Sequence, residues 1–121
     1  MSKKYSLPRS FGFAFSGIKR AILNEPNFRI HLLVAVVVSL LASFLKFSLN
    51  EWLILILVIF LVIAVELINT SIESIVNLVS LETKEHAKNA KDVSAAAVLV
   101  VSTLAIIVGA LLFIPRILKV Y

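Results

Sequence analysis

Apolar positions gather into three blocks along the chain, and the stretches between them are short. The first block runs from Ile30 to Phe47, with His31 at its start and Lys46 near its end. The second runs from Trp52 to Val79 and is free of charge as far as Val65, with Glu66 and Glu73 beyond. The third runs from Val93 to Ile114 without a charged residue. A spanning helix needs about 20 apolar residues, within a range of roughly 17–25. The pattern therefore predicts three transmembrane helices over 30–47, 52–79 and 93–114, the second projecting its last turns into the interface. A soluble helical bundle is the alternative, but a small domain cannot bury three such helices on every side. The first block begins too far along the chain, and without a small-residue cleavage pattern, to be expected as a signal peptide.

Ahead of the first block the pattern changes. Phe11, Phe15, Ile18 and Ile22 recur at helical spacing, while Ser16, Lys19, Arg20 and Asn24 fall mostly on other faces. This is an amphipathic helix over 8–24, starting near Pro8 and interrupted by Pro26 before the first span. Its basic, amphipathic character places it in the plane of the membrane interface, the alternative being packing on the end of the bundle.

Composition sharpens the picture. The 121 residues are 60% hydrophobic and 16% charged, with no cysteine and a mean hydropathy of +1.04. Soluble domains are roughly 45–50% apolar and about 25% charged. Disorder, a disulfide scaffold and a thiolate metal site are excluded, and a soluble nucleic-acid binder is not supported despite the net charge of +5. Lys3, Lys4, Arg9, Lys19, Arg20 and Arg29 precede the first span, and Lys84, Lys88 and Lys91 lie between the second and third. Only Lys46, Arg116 and Lys119 fall on the other side. The bias toward one side predicts a cytoplasmic N-terminus and an external C-terminus, with Trp52 at the outer interface.

Polar residues inside the second block carry the candidate chemistry. Glu66, Asn69, Glu73 and Asn77 share one helical stripe, with Thr70 beside it. Glu66 and Glu73 stand two turns apart, roughly 10 Å at about 1.5 Å per residue. Ionisable residues at such depth mark functional sites, and interhelical hydrogen bonding is the structural alternative. Amides alone would serve that alternative; two carboxylates imply divided labour. Glu66 is the deeper, where desolvation penalises its charge, the condition that suits a general base. Glu73 lies nearer the cytoplasm and fits a Mg²⁺ ligand, since that ion takes one or two carboxylates plus water and phosphate oxygens.

Glu25 falls at the same boundary, although by itself it reads as a solvated loop charge. The polar stretch from Glu82 to Asp92 is expected as a loop whose Lys84, Lys88 and Lys91 either attract an anionic phosphate substrate or satisfy the positive-inside bias. Lys91-Asp92 stands directly before the third span. No P-loop is present, and Gly12, Gly17 and Gly109 are scattered, so a nucleotide must be held by charge and metal. His31 and His86 lack metal-ligand spacing and are taken as interfacial and loop residues.

The run Glu66-Leu-Ile-Asn69-Thr-Ser-Ile-Glu73-Ser-Ile-Val-Asn77 closely resembles the signature of the prokaryotic diacylglycerol kinase family, which includes undecaprenol kinases. Ala90-Lys91-Asp92-Val93, followed by Ala95-Ala96-Ala97-Val98-Leu99, is similar to its second characteristic stretch. Asn24-Glu25-Pro26-Asn27-Phe28-Arg29-Ile30-His31 looks like the segment before its first span. The resemblance runs from about Arg9 to Ile117. It implies an all-α integral membrane lipid kinase of the bacterial cell membrane, one domain over 1–121, assembled as a homotrimer with active sites shared between subunits. The reaction implied is transfer of the γ-phosphate of MgATP to a lipid hydroxyl. By position, Glu66 would be the proton acceptor, supported by Asn69. Glu25 and Glu73 would hold Mg²⁺ and the phosphates, and Glu82, Lys91 and Asp92 would contact nucleotide.

Two positions depart from the family pattern. Asn77 replaces an Asp, which removes a carboxylate, and Lys84 stands where a His is usual, with His86 two residues on. Asn27–His31 and Phe113-Ile114-Pro115-Arg116 look more like the undecaprenol branch than the diacylglycerol branch. A proton-coupled transporter titrating Glu66 is the rival class, but it needs neither Glu25 nor Lys91-Asp92.

Overall fold

A computed structural model of the chain describes residues 6–79 and 84–119. Four helices follow in order: α1 (Leu7–Asn24), α2 (Pro26–Phe44), α3 (Leu49–Val79) and α4 (Lys84–Ile117). No strand occurs among the described residues. Helices α2, α3 and α4 are each long and apolar enough to cross a membrane. At 31 and 34 residues, α3 and α4 measure about 46 and 51 Å at ~1.5 Å per residue, against a hydrocarbon core of about 30 Å. Both therefore extend past the bilayer core.

The break between α1 and α2 is a single extended residue, Glu25 (φ −115°, ψ 103°), which closes one helix and opens the next. Its N–H donates to the Ala21 carbonyl at 2.9 Å. Pro26 has no N–H to offer and is therefore suited to the first position of α2. Arg29 donates back to the carbonyls of Ile22 (2.8 Å) and Leu23 (3.2 Å), satisfying the otherwise unpaired end of α1. Pro26 thus starts the first spanning helix rather than merely interrupting the pattern, so α2 begins four residues before the apolar block.

The connection from α2 to α3 is equally tight. Lys46 adopts a left-handed conformation (φ 56°), its N–H bonds to Ser43, and Phe47 N–H reaches the Ala42 carbonyl. This is a Schellman termination with Lys in the position glycine usually fills. Ser48-Leu49-Asn50-Glu51 then forms a capping box: Ser48 N–H donates to Glu51 Oε1 (2.9 Å) and Glu51 N–H to Ser48 Oγ (3.3 Å).

The principal packing is α3 on α4, with α2 laid against α3 and α1 touching both α2 and α3. Ala42, Phe47, Leu55, Leu112 and Phe113 form the core near the α2–α3 turn. Phe47 meets Phe113 in a tilted ring contact at 4.8 Å and Trp52 edge-on at 6.2 Å. Above them Arg116 of α4 pairs with Glu51 of α3, its Nε donating at 3.1 Å to Oε2, and its guanidinium covers the Phe47 ring. Arg116→Met leaves a mostly enclosed carboxylate without this partner. It is expected to lower stability in detergent by about 1–3 kcal/mol, measured by denaturant unfolding, and to leave the polar stripe at the far end of the bundle undisturbed.

Most other large apolar side chains, including Leu40, Leu57, Phe60, Leu99, Ile106 and Leu111, face outward. That is the arrangement of a chain whose solvent is lipid, and the protein is a multi-pass membrane protein. In α1 the stripe of Phe11, Phe15, Ile18 and Ile22 is exposed, and the helix meets the bundle through Ala21, off that stripe.

One sequence expectation is corrected. Residues 84–92, read as loop, are the first turns of α4. Polarity placed them outside the hydrocarbon; it did not prevent helix. Glu85 complements the helix N-terminus, and Lys88 pairs with Asp92 one turn later at 2.6 Å.

Candidate functional site

The polar stripe of α3 meets α4 and the start of α2 near one end of the bundle. Three polar residues are buried there: Glu66 (3% exposed), Asn69 (8%) and Ser94 (6%). Burial of this kind requires hydrogen-bond partners, and two of the three form a connected chain. Ser94 Oγ on α4 donates to Asn69 Oδ1 at 2.6 Å, and Asn69 Nδ2 donates to Glu73 Oε1 at 2.6 Å. A single amide thereby fixes the orientation of Glu73 and ties it to α4.

Glu66 has a different neighbour. His31 of α2 places Nε2 3.7 Å from Glu66 Oε2, an ion pair when the imidazole is protonated. The charges of His31, Glu73 and Glu25 all act on this carboxylate. Glu25 reaches the region because the α1–α2 break holds it, half-buried, at the head of α2. The structure therefore brings Glu25, Glu66, Asn69 and Glu73 into one neighbourhood.

The remaining predicted residues divide. Lys91 is half-buried one turn before Ser94 on α4, on the side of the Asn69 link. Asp92 is exposed and engaged by Lys88. Glu82 lies outside the described residues. Asn77 does not continue the buried stripe: it is exposed, and Val76 is the buried residue in that turn. Asn69 and Val76 are buried where α3 meets α4, and Asn77 falls outside that contact. Thr70 Oγ1, beside Glu66, is enclosed with no hydrogen-bond partner among the described residues.

Two residues escaped the sequence reading. His31 has no metal-ligand spacing and heads an apolar block, so nothing along the chain links it to Glu66. Its only signal is that an ionisable side chain at a span needs a partner. Ser94 opens the small-residue run Ser94-Ala95-Ala96-Ala97 and carries no signal of its own.

Among the described residues no three Asp, Glu or His side chains converge to cage a metal. The donors present are hard carboxylate oxygens, and Glu73 is held through Oε1. This fits a Mg²⁺ bound by one or two carboxylates and completed by water and phosphate oxygens.

Comparison with known proteins identifies the family. The family model of prokaryotic diacylglycerol kinase matches residues 12–113. The undecaprenol kinase of Bacillus subtilis is 36% identical over 108 residues, covering 89% of this chain and 88% of that protein. A diacylglycerol kinase of Synechocystis is 40% identical over 111 residues, 91% of this chain but 63% of that protein. One from Helicobacter pylori is 41% identical over 88 residues, covering 73% of this chain and 69% of that protein. By these matches over most of its length, and with three helices long and apolar enough to cross a membrane, the chain belongs to the prokaryotic diacylglycerol kinase family and is a membrane lipid kinase.

Proposed function

We propose that the chain transfers the γ-phosphate of MgATP to the hydroxyl of undecaprenol, at Glu66. The observation that carries this reading is a buried carboxylate beside an apolar groove, with the charges of Glu25 and Glu73 close by. A lipid alcohol reaches such a carboxylate from the bilayer and a nucleotide from the water. The hydroxyl oxygen attacks the γ-phosphorus, the bond to the β-phosphate oxygen breaks, ADP leaves, and the hydroxyl proton passes to Glu66. Phosphoryl transfer asks little covalent chemistry of a protein, so positioning and charge dominate.

Each further role follows from place. Asn69 orients Glu73. Glu25 and Glu73 would hold Mg²⁺, which when bound neutralises charge on the β- and γ-phosphates. Lys91, half-buried beside the Ser94 link, suits a phosphate oxygen. Glu82 and Asp92 complete the nucleotide contacts, Asp92 after exchanging its Lys88 partner. In this reading α1 lies in the headgroup plane of the bacterial cell membrane, the N-terminus is cytoplasmic, and three copies form a homotrimer that covers part of the exposed apolar surface. The family assignment replaces the transporter reading.

Undecaprenol is favoured by the Asn27–His31 and Phe113–Arg116 segments, and by a relative named undecaprenol kinase that matches this chain nearly end to end. Diacylglycerol is the second reading, favoured by the names of the two relatives at 40% and 41% identity. The purified chain in bilayers, given labelled ATP, Mg²⁺ and either alcohol at equal mole fraction, is expected to phosphorylate undecaprenol faster. A faster rate on diacylglycerol reverses the branch; no lipid phosphate from either removes the proposal.

A further inference from the structure

A groove of about 490 Å³ lies between α2, α3 and α4. Its wall is almost wholly apolar, with Val38 of α2, Val62 of α3, and Ala105 and Phe113 of α4 among the lining residues. His31 and Ser102 are its only side chains with hydrogen-bonding atoms, and His31 is the only one that can carry charge. The same imidazole faces Glu66 at 3.7 Å, with 22% of the His31 side chain and 4% of the Glu66 side chain exposed. Val62 and Ile63 of the groove stand one turn before Glu66 on α3. One side chain thus touches both the groove and the buried carboxylate.

We propose that His31 is a positioning residue for phosphoryl transfer, holding the Glu66 carboxylate so that an alcohol arriving along the groove meets an oriented base. The inference rests on Glu66 being the base. A carboxylate has two oxygens, and a base is effective only when the one that takes the proton is correctly aimed. His31 Nε2 lies 3.7 Å from Oε2; a hydrogen bond formed there would hold that oxygen and leave Oε1 for the acceptor hydroxyl. The proton ends on Glu66, and His31 neither gains nor loses an atom in the step. The role requires this 3.7 Å separation to close to hydrogen-bond length when substrate is bound. A histidine placed on a spanning helix solely as a surface group has no need of either neighbour.

The test uses the full chain in bilayers with MgATP and the lipid alcohol. His31→Phe keeps a ring in the groove wall but removes both nitrogens; His31→Gln keeps an N–H donor. His31→Phe is expected to lower kcat by roughly tenfold to a hundredfold, a part of the usual contribution of a general base, with the KM for MgATP unchanged. His31→Gln is expected to recover most of that loss, and His31→Phe in a Glu66→Gln background is expected to cost nothing further. Should His31→Phe not fold, His31→Met reads the same loss. An unchanged kcat in the variant lacking nitrogen overturns the inference, as does an equal loss in the glutamine variant with a raised KM for MgATP, which marks a structural role. If Glu66→Gln itself keeps turnover, the base assignment fails and the His31 role fails with it. If Glu66→Gln is inactive while His31→Phe is fully active, only the His31 role is lost.

Discussion

Glu66→Gln yields a folded chain that still binds nucleotide and transfers almost no phosphate. The substitution keeps the shape of a side chain that is 3% exposed and removes its negative charge, and with it the ability to take a proton. General-base catalysis contributes typically about 10²–10⁴-fold, so turnover is expected to fall by that factor, equivalent to about 3–5 kcal/mol of transition-state stabilisation. Stability moves little or rises, because a neutral amide costs less to bury than a carboxylate. Steady-state assay gives the first quantity, calorimetry with ATP in the presence of Mg²⁺ the second, and thermal unfolding the third. Loss of nucleotide binding together with turnover would mean that the base and ligand roles of Glu66 and Glu73 have been exchanged.

Asn69→Leu is expected to be nearly as damaging, for a different reason. It breaks two bonds at once, the one from Ser94 and the one to Glu73. Side-chain hydrogen bonds inside membrane proteins average only about 0.6 kcal/mol, so the loss of stability is about 1–2 kcal/mol. The functional loss is larger. Glu73, no longer held, binds the metal–nucleotide complex poorly, and KM for MgATP rises while kcat falls, by roughly a hundredfold in kcat/KM if aim of the ligand is worth what positioning usually is. Asn69→Asp is the informative companion. It preserves the acceptor for Ser94 but buries a carboxylate against Glu73, so stability falls as well, and MgATP affinity drops. A leucine variant that loses stability alone would reduce Asn69 to a helix-to-helix tie.

Much of this was legible in the amino-acid sequence, and the exceptions have physical causes. The three spans follow from long apolar runs with few charges, the length a bilayer core requires. Their ends were less legible because polarity reports depth, not conformation. Residues 84–92 are polar yet helical, and Pro26 opens α2 where proline is more often read as a stop. Glu66, Asn69 and Glu73 stood out since charge and amides at that depth need a reason. Ser94 and His31 did not, because their meaning lies in contacts across helices, 25 residues apart for Ser94 and Asn69. Asn77 shows the reverse error. Its spacing fits the stripe, but the face of α3 that packs in that turn carries Val76, and Asn77 stays exposed.

The central claim is that a lipid hydroxyl attacks the γ-phosphorus directly while Glu66 takes the proton. A buried carboxylate offers one other chemistry, attack on the phosphorus by Glu66 itself to give an acyl phosphate that the alcohol then opens. The stereochemical course separates the two. ATP made chiral at the γ-phosphorus with oxygen isotopes, turned over by the purified chain in bilayers, is predicted to give lipid phosphate with inverted configuration. Retention of configuration would show two successive displacements and contradict the account.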